Sequence, residues 1–289
     1  MEASVTAIIP CYRCSDTVAR AIDSVAAQTL RPAEVILVDD GSEDNTLEKL
    51  LQIQGAYGEG WIKVIPLERN RGVSMARNVA WDAALHDYVA FLDADDAWHP
   101  EKIALQYLWM HNNPETPVSG HKCVMVDPGA RVTVSKVDSD FAVRYVSRRQ
   151  LLVSNPFVTP SFMLRRNLEY RFDPSRRYTE DFLLLMQLGL DGYRIAMLEV
   201  ELAYVFKRLG KSGASRHLLR MRHGDTKNYW QLWRSGRLGF MTVSALTAYS
   251  ILKFIALLTL GPSSHSALKR LVEWWWSRRR VPTARSHGA

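Results

Sequence analysis

Three aspartates stand close together at the end of one apolar run. The run is Tyr88-Val-Ala-Phe-Leu92, and Asp93, Asp95 and Asp96 follow it. Like charges this close repel one another, so a bound cation is the simplest explanation for the cluster. Carboxylate oxygens are the ligands that hard divalent cations prefer. The pattern therefore predicts a divalent cation, and we expect that cation to carry a phosphate group.

A second pair of carboxylates, Asp39 and Asp40, follows the apolar run at residues 35–38. One interpretation is a turn that ends a strand, with Ser42 capping the next helix. The alternative is a binding role, in which a carboxylate accepts the N–H of a uracil ring and holds a ribose hydroxyl. Both contacts are ones that a nucleotide needs, and both interpretations remain open on these residues alone.

A polar loop leads into a helix at residues 70–78. Gly72 allows a tight turn there, and the guanidinium of Arg71 or Arg77 could meet a diphosphate through charge-assisted hydrogen bonds. The alternatives are a helix entry capped by Ser74 and a surface ion pair for Arg77. We favour the binding role for Arg71 and leave both interpretations open for Arg77.

These residues need a scaffold, and the apolar periodicity predicts one. Strands are expected at residues 5–9, 34–39, 61–65, 88–92 and 122–126, and helices at 18–26, 46–51, 74–85 and 100–110 and from 182 onwards. Such alternation predicts an α/β fold, a mostly parallel sheet with helices on both faces. Ligands of these sheets bind outside the carboxyl ends of the strands. All the chemically suggestive residues fall at those ends.

Composition separates the chain into an acidic part and a basic part. It has 289 residues, 47% of them hydrophobic, which suffices for one large domain or two. Residues 1–200 hold 21 Lys and Arg against 27 Asp and Glu, whereas residues 201–289 hold 16 against 3. The basic residues alternate with long apolar runs, and no zinc-finger or RNA-recognition signature appears. We therefore expect an anionic membrane surface as a partner, and no nucleic acid.

The cysteines fit a reducing compartment. Cys11 and Cys14 form a C-x-x-C, which could indicate redox or zinc chemistry, but no second pair supplies further zinc ligands. We favour an ordinary loop after a buried strand. The first residues lack a charged segment followed by an apolar one, so no signal peptide is predicted and we expect the amino-terminal part in the cytoplasm.

Taken together, these motifs resemble the family 2 glycosyltransferases, enzymes with the GT-A fold that transfer a sugar from a nucleotide donor. The resemblance covers about residues 4–215, and each segment alone is weak. It rests on Val5-Thr-Ala-Ile-Ile-Pro10-Cys-Tyr12, Ser24-Val-Ala-Ala-Gln28-Thr29, Val38-Asp-Asp-Gly-Ser42, Asn70-Arg-Gly-Val-Ser74 with Ala76-Arg-Asn78, Phe91-Leu-Asp93-Ala-Asp95-Asp96, Thr159-Pro-Ser161 and Glu180-Asp181. One departure is Arg13, which stands where the family commonly has Asn after the Tyr of the first loop.

The resemblance implies roles for individual residues. Asp93 and Asp95 form the family's D-x-D motif, with Asp95 on Mn²⁺ or Mg²⁺ and Asp93 also approaching the ribose, while Asp96 supports them. Asp181 is implied as the base that takes the proton of the acceptor hydroxyl, with Glu180 as the alternative. Without the family pattern, both would be acidic residues favoured by a helix dipole. The remaining residues implied in nucleotide-sugar binding are Pro10, Cys11, Tyr12, Asp39, Asp40, Arg71, Asn78 and Ala94.

The carboxyl-terminal region carries a long apolar segment, residues 240–260, with Lys253 as its single charge. Its length would just cross a bilayer, but a lysine near the middle would cost about 2.5–3.5 kcal/mol. Trp274-Trp275-Trp276 beside Arg278-Arg279-Arg280 has the composition of an interfacial anchor. We favour a helix in the membrane plane over a span, a re-entrant hairpin or helices packed on the soluble domain.

The expected organisation is a GT-A domain at 1–220, a basic helical extension at 221–280 that associates with a membrane, and a disordered tail at 281–289. His217 and His223 are possible additional ligands of metal or phosphate. The expected function is inverting transfer from a nucleotide-diphosphate sugar, UDP-linked by preference, to a glycan or lipid-linked acceptor in surface polysaccharide synthesis. The expected location is the cytoplasmic face of the plasma membrane. The alternative is a membrane-bound protein that binds nucleotide sugars without turnover.

Overall fold

The computed structural model describes residues 2–58, 60–130, 132–134, 136–207 and 214–260. The strands are β1 Glu2–Cys11, β2 Arg31–Asp39, β3 Ile62–Pro66, β4 Tyr88–Phe91, β5 Ala97–Trp98, β6 Val118–Val126, β7 Val143–Tyr145, β8 Met163–Arg165 and β9 Ile195–Phe206. The helices are α1 Val18–Ala26, α2 Thr46–Tyr57, α3 Val73–Ala83, α4 Lys102–Asn112, α5 Arg148–Val153, α6 Glu180–Leu190, α7 Ala214–Arg234 and α8 Phe240–Leu260, with a 3-10 helix at Thr159–Ser161.

One sheet carries all of these strands in the order β3-β2-β1-β4-β8-β6-β9-β5, and β7 pairs with β9. Strands β1 to β4 run parallel, as the alternation of strands and helices predicts. Strand β8 then pairs antiparallel with both β4 and β6, so the second half of the sheet is mixed. The predicted α/β architecture with flanking helices is confirmed.

The core lies on both faces of the sheet because side chains alternate along each strand. In β1, Ile8 points into a cluster with α3 and α6, while Ala7 and Ile9 point into a second cluster with α1 and α4. The side chains of β2 alternate between the same two clusters, and Ile36 belongs to the cluster with α3 and α6. This packing fixes the carboxyl ends of β1, β2 and β4 relative to one another.

The last two described helices pack on the α/β domain. Tyr229 and Leu232 of α7, with Val243, Leu246 and Tyr249 of α8, belong to the same apolar cluster as the helix α6. The first half of α8 therefore lies against protein, which was the least favoured alternative for residues 240–260. Among the described residues, no helix combines the length and the apolarity that crossing a bilayer requires.

The predicted domain boundary at residue 220 falls inside α7. The predicted tail at 281–289 and the tryptophan and arginine clusters at 274–280 lie outside the described residues. The division of the chain into domain, extension and tail remains a prediction.

Candidate active site

A cavity of about 300 Å³ opens where β1 and β2 end and α3 begins. Some of the residues that line this cavity were predicted from the sequence to bind nucleotide, and others were not. Its lining consists of Pro10, Cys11, Tyr12, Asp40, Asn70, Gly72, Val73, Ala76, Arg177 and Tyr178. Tyr12 is 44% exposed, so its ring is available to a ligand. The parallel sheet thus brings the first loop, the Asp40 turn and the start of α3 to one place.

Asp40 fixes one wall of this cavity. Its two carboxylate oxygens accept hydrogen bonds from the backbone N–H groups of Arg71 and Gly72, each at 2.8 Å. The backbone N–H of Asp40 donates to the carbonyl of Cys11 at 2.8 Å. Through its side chain and its backbone, Asp40 therefore ties the first loop, the turn after β2 and the start of α3 together. The structure adds this positioning role to the nucleotide contact that was predicted for Asp40.

Asp39 is buried, with 2% of its surface exposed. One carboxylate oxygen accepts from the backbone N–H of Ser42 at 3.3 Å, and the other, Oδ1, has no hydrogen-bond partner among the described residues. A buried acceptor without a donor is costly. A donor N–H or O–H from a ligand would satisfy it, which agrees with the role predicted from sequence.

Arg77 joins Asp93, which was predicted for donor binding, to Glu180, the predicted alternative base. Its Nη2 donates to Oδ1 of Asp93 at 2.7 Å, and its Nη1 donates to Oε1 of Glu180 at 2.8 Å. Burial alone would lower the pKa of the Arg77 guanidinium, but the charges of Asp93 and Glu180 outweigh it, so the pKa is raised. A buried, permanently charged arginine therefore holds the end of β4 against the start of α6. The sequence left its role open.

Asp181 has the environment of a general base. Asn155 donates to one of its oxygens at 2.9 Å, and the backbone N–H of Phe182 donates to the other at 2.7 Å. Burial and the adjacent charge of Glu180 raise the pKa of Asp181 to about 6, against the opposite effect of Arg77. Since Glu180 is engaged by Arg77, Asp181 is the better placed of the two predicted candidates.

Asp95 and Asp96 differ in their surroundings. Asp95 is exposed, and partial desolvation followed by the charge of Asp93 raises its pKa. Asp96 is buried and accepts a hydrogen bond from the backbone N–H of Phe206 at 2.9 Å. Burial, then the charges of Asp93 and Asp95, raise the pKa of Asp96 to about 7. Both shifts arise first from desolvation and then from the neighbouring carboxylates, and a bound cation would oppose both effects.

A divalent cation fits this cluster of carboxylates. The described residues contain no group of three or more His, Cys, Asp or Glu side chains that could enclose a metal. The protein would therefore supply only Asp95 and Asp93, with Ala94 buried between them, and other ligands would come from a bound diphosphate. Such an open donor set suits a cation that arrives with a nucleotide.

Arg20 is a neighbour of the acidic cluster that sequence reasoning missed. It donates through Nη2 to the backbone carbonyl of Asp95, and its guanidinium lies 3.8 Å from the ring centroid of Phe206. Phe206 in turn donates to Asp96. Asn155 was missed for a similar reason, because each of these residues is far along the chain from its partner. The only sequence signal for Arg20 is that it is a charged residue on the amphipathic helix α1, which does not show that it contacts the acidic cluster.

Two predicted residues have other contacts in the structure. Asn78 uses both ends of its amide on the backbone of Phe172, at 2.7 and 3.0 Å, and the side chain of Arg71 is exposed. Their binding of nucleotide stays a prediction. His223 lines a different cavity, and the side chain of His217 lies outside the described part of the chain. Cys11 and Cys14 are buried free thiols.

The sequence matches the family model for Glycosyl transferase family 2 over residues 6–169. The chain is similar to the succinoglycan biosynthesis protein ExoO of Rhizobium meliloti, with 27% identity over 76% of this chain and 65% of that protein. It is also similar to the Escherichia coli enzyme WfgD, named as a UDP-Glc:alpha-D-GlcNAc-diphosphoundecaprenol beta-1,3-glucosyltransferase. That identity is 36% over 38% of this chain and 42% of the enzyme. The chain thus spans less than two thirds of either relative.

Solved structures share the fold. The Staphylococcus aureus protein TarS, residues 1–349 in complex with UDP-GlcNAc, superposes with a TM-score of 0.60 and 24% identity, covering 90% of this chain and 73% of that one. The mannosyltransferase PcManGT of Pyrobaculum calidifontis, in complex with GDP-Man and Mn²⁺, gives a TM-score of 0.62 at 17% identity, covering 98% and 77%. At these identities the likeness establishes the GT-A fold alone.

Proposed function

The chain belongs to the family 2 glycosyltransferases, and on that premise we propose that it transfers a sugar, with inversion, from a nucleoside-diphosphate sugar to an acceptor hydroxyl. The observation that carries the proposal is the pair of hydrogen bonds from Arg77 to Asp93 and Glu180. Through it, the acidic end of β4 and the start of α6, where Asp181 lies, form a single site.

The donor occupies the cavity between the first loop and α3. The carboxylate oxygen of Asp39 that lacks a partner accepts a hydrogen bond from an N–H of the base or an O–H of the ribose. Pro10, Cys11 and Tyr12 line the cavity beside Asp40. The relative named for UDP-Glc and the TarS complex with UDP-GlcNAc support a UDP-sugar. Because PcManGT was solved in complex with GDP-Man, a GDP-sugar is the alternative donor to compare with a UDP-sugar.

Asp181 is the base of the reaction. Its carboxylate accepts the proton of the acceptor hydroxyl while that oxygen bonds to the anomeric carbon, and the nucleoside diphosphate leaves from the opposite face. Asn155 orients the carboxylate, and Arg77 holds the neighbouring Glu180 in an ion pair. A base with a pKa of about 6 is ionised at neutral pH and still basic enough to accept a proton in the transition state.

Asp95 and Asp93 would hold the divalent cation, Mn²⁺ or Mg²⁺. When bound, the cation neutralises charge on the diphosphate and makes it a better leaving group. Asp96 supports the cluster through its hydrogen bond to the backbone of Phe206. The structural relative with Mn²⁺ supports this assignment.

The acceptor in this proposal is a glycan on a lipid diphosphate, used in surface polysaccharide synthesis at the cytoplasmic face of the plasma membrane. The name of the Escherichia coli relative supports the lipid diphosphate, and the name of the Rhizobium relative supports polysaccharide synthesis. We further propose that residues 1–220 form the catalytic domain and that residues 221–280 form an extension that contacts an anionic membrane.

The test is transfer activity with a panel of nucleotide sugars in the presence of Mn²⁺ or Mg²⁺, using a lipid-diphosphate N-acetylglucosamine as acceptor. Asp181→Asn should lower transfer at least about a hundredfold, the usual contribution of a general base. Asp138→Asn, which neutralises an exposed aspartate outside the site, should leave transfer unchanged. Binding of a nucleotide sugar without any turnover would instead support the alternative of a binding protein.

A further inference from the structure

A second cavity, of about 360 Å³, lies between α7 and the segment that precedes α6. It is lined by Ser175, Arg176, Arg177, Tyr178, His223, Gly224 and Lys227. Arg177 and Tyr178 also line the nucleotide cavity, so the two cavities share a wall. His223 and Lys227 line this cavity and not the nucleotide cavity. We call it the basic cavity.

The positive charge of the basic cavity is largely uncompensated. Arg176 is engaged by Asp173, the side chain of Gln231 and the carbonyl of Lys227. The side chains of Arg177 and Lys227 are exposed, and within the described residues neither has an ion-pair partner. His223 is exposed beside them. Two free cations and an imidazole around one cavity are the side chains that bind phosphate.

The walls of the basic cavity are held in place. Asn228 of α7 donates to the backbone carbonyl of Thr179 at 2.9 Å and to its hydroxyl at 3.0 Å. A Cβ at Gly224 would lie 2.5 Å from that hydroxyl oxygen, so α7 approaches this segment closely. Thr179 itself has a left-handed backbone, with φ of +59°, and the chain then turns directly into Glu180 and Asp181. The cavity is therefore positioned relative to the base.

We propose that the basic cavity binds the diphosphate of the lipid-linked acceptor. This rests on the proposed function, because it takes Asp181 as the base and a lipid diphosphate as the carrier of the acceptor. When the acceptor is a single sugar on a lipid diphosphate, such as lipid-diphosphate N-acetylglucosamine, the reacting hydroxyl and the diphosphate belong to one sugar ring, so the base and the phosphate site must be neighbours. The donor diphosphate binds elsewhere, through the cation that Asp95 and Asp93 would hold, and Arg77 lies between those aspartates and Glu180.

The experiment measures the affinity of farnesyl diphosphate by calorimetry, with UDP and Mn²⁺ present so that the nucleotide cavity is filled. Arg177→Ala and Lys227→Ala should each weaken farnesyl diphosphate binding by about tenfold, the loss expected for one charge-assisted hydrogen bond. Lys63→Ala removes an equal charge from an exposed position on β3 and should have no effect. Inorganic pyrophosphate should compete, and farnesol should bind weakly.

UDP affinity, measured on the same variants, separates this proposal from the proposed function. Unchanged UDP affinity in Lys227→Ala shows that the variant is folded and that its donor site is intact. If UDP affinity fell together with that of farnesyl diphosphate in Lys227→Ala, whose side chain lies outside the nucleotide cavity, the basic cavity would belong to the donor and the inference would be overturned. Equal binding of farnesyl diphosphate by wild type and both variants would also overturn it. Failure to bind any nucleotide would count against the proposed function instead.

Discussion

At the scale of single residues, the pKa of Asp181 determines how transfer should depend on pH. Burial and the charge of Glu180 raise that pKa to about 6. The carboxylate must be ionised to accept a proton, so kcat/KM should be constant near neutral pH. It should fall about tenfold per pH unit well below pH 6.

The hydrogen bond from Asn155 stabilises the ionised form of Asp181 and lowers its pKa. Asn155→Ala should therefore move the midpoint of the acidic limb to higher pH, because the proton is then lost less readily. Asn112→Ala, at an exposed end of α4, is the matched control and should keep the wild-type profile. A midpoint that is the same in all three proteins would exclude Asp181 as the group that titrates.

Residue types near a strand end were predictable, whereas their partners were not. The acidic cluster after β4 and the Asp39-Asp40 pair stand next to apolar runs, so their place at the sheet edge followed from the strand pattern. Arg77 meets Glu180 across 103 positions and Asn155 meets Asp181 across 26, and no local pattern encodes such pairs. The interpretation of Arg77 was left open for that reason.

At the scale of elements, the turn after β2 and the loop before α3 are built as one unit. Gly41 has a φ of +65°, and a Cβ there would lie 2.4 Å from the backbone carbon of Arg69. Gly41→Ala should therefore destabilise the fold by at least about 2 kcal/mol, since it combines a left-handed backbone with a clash against backbone atoms. It should also weaken nucleotide binding, because Asn70 and Gly72 line that cavity.

The matched control for this change is Gly55→Ala in α2, where a Cβ meets nothing within 4 Å. Alanine is the better helix former, so the control should raise the free energy of unfolding by about 0.5–1 kcal/mol. Chemical denaturation measures both variants. Equal stability of Gly41→Ala and wild type would show that the loop adapts and that the two segments are not a unit.

Strand β9 could not be predicted from the residue types along the chain. Its sequence, Ile195–Phe206, contains Ala, Met, Leu and Glu, which favour helices, yet it pairs with β5, β6 and β7. Neighbouring strands determine its conformation, because strand preference depends on packing more than on residue type. The short strands β5 and β7 were missed as well, and β5 positions Asp96 next to Phe206.

At the scale of the whole molecule, α8 presents two different surfaces. Val243, Leu246 and Tyr249 face the apolar core, and Lys253 is buried with 4% exposure. The opposite surface exposes large apolar side chains, which are those of Phe240, Met241, Ile251, Leu252 and Ile255. Met241 is 85% exposed. An exposed apolar strip on a helix in the basic part of the chain is the arrangement expected of a membrane contact.

The last prediction tests that contact by co-sedimentation of the full chain with vesicles that contain anionic lipid. Leu252→Asp should weaken vesicle binding about tenfold or more, since a leucine side chain contributes about 2 kcal/mol when it leaves water. Leu85→Asp changes another exposed leucine, outside α8, and should bind as wild type does. The contrast should be sharpest at about 1 M salt, where a Debye length of ~3 Å screens the attraction of the basic residues. Equal sedimentation of both variants at that salt concentration would show that α8 does not contact the lipid.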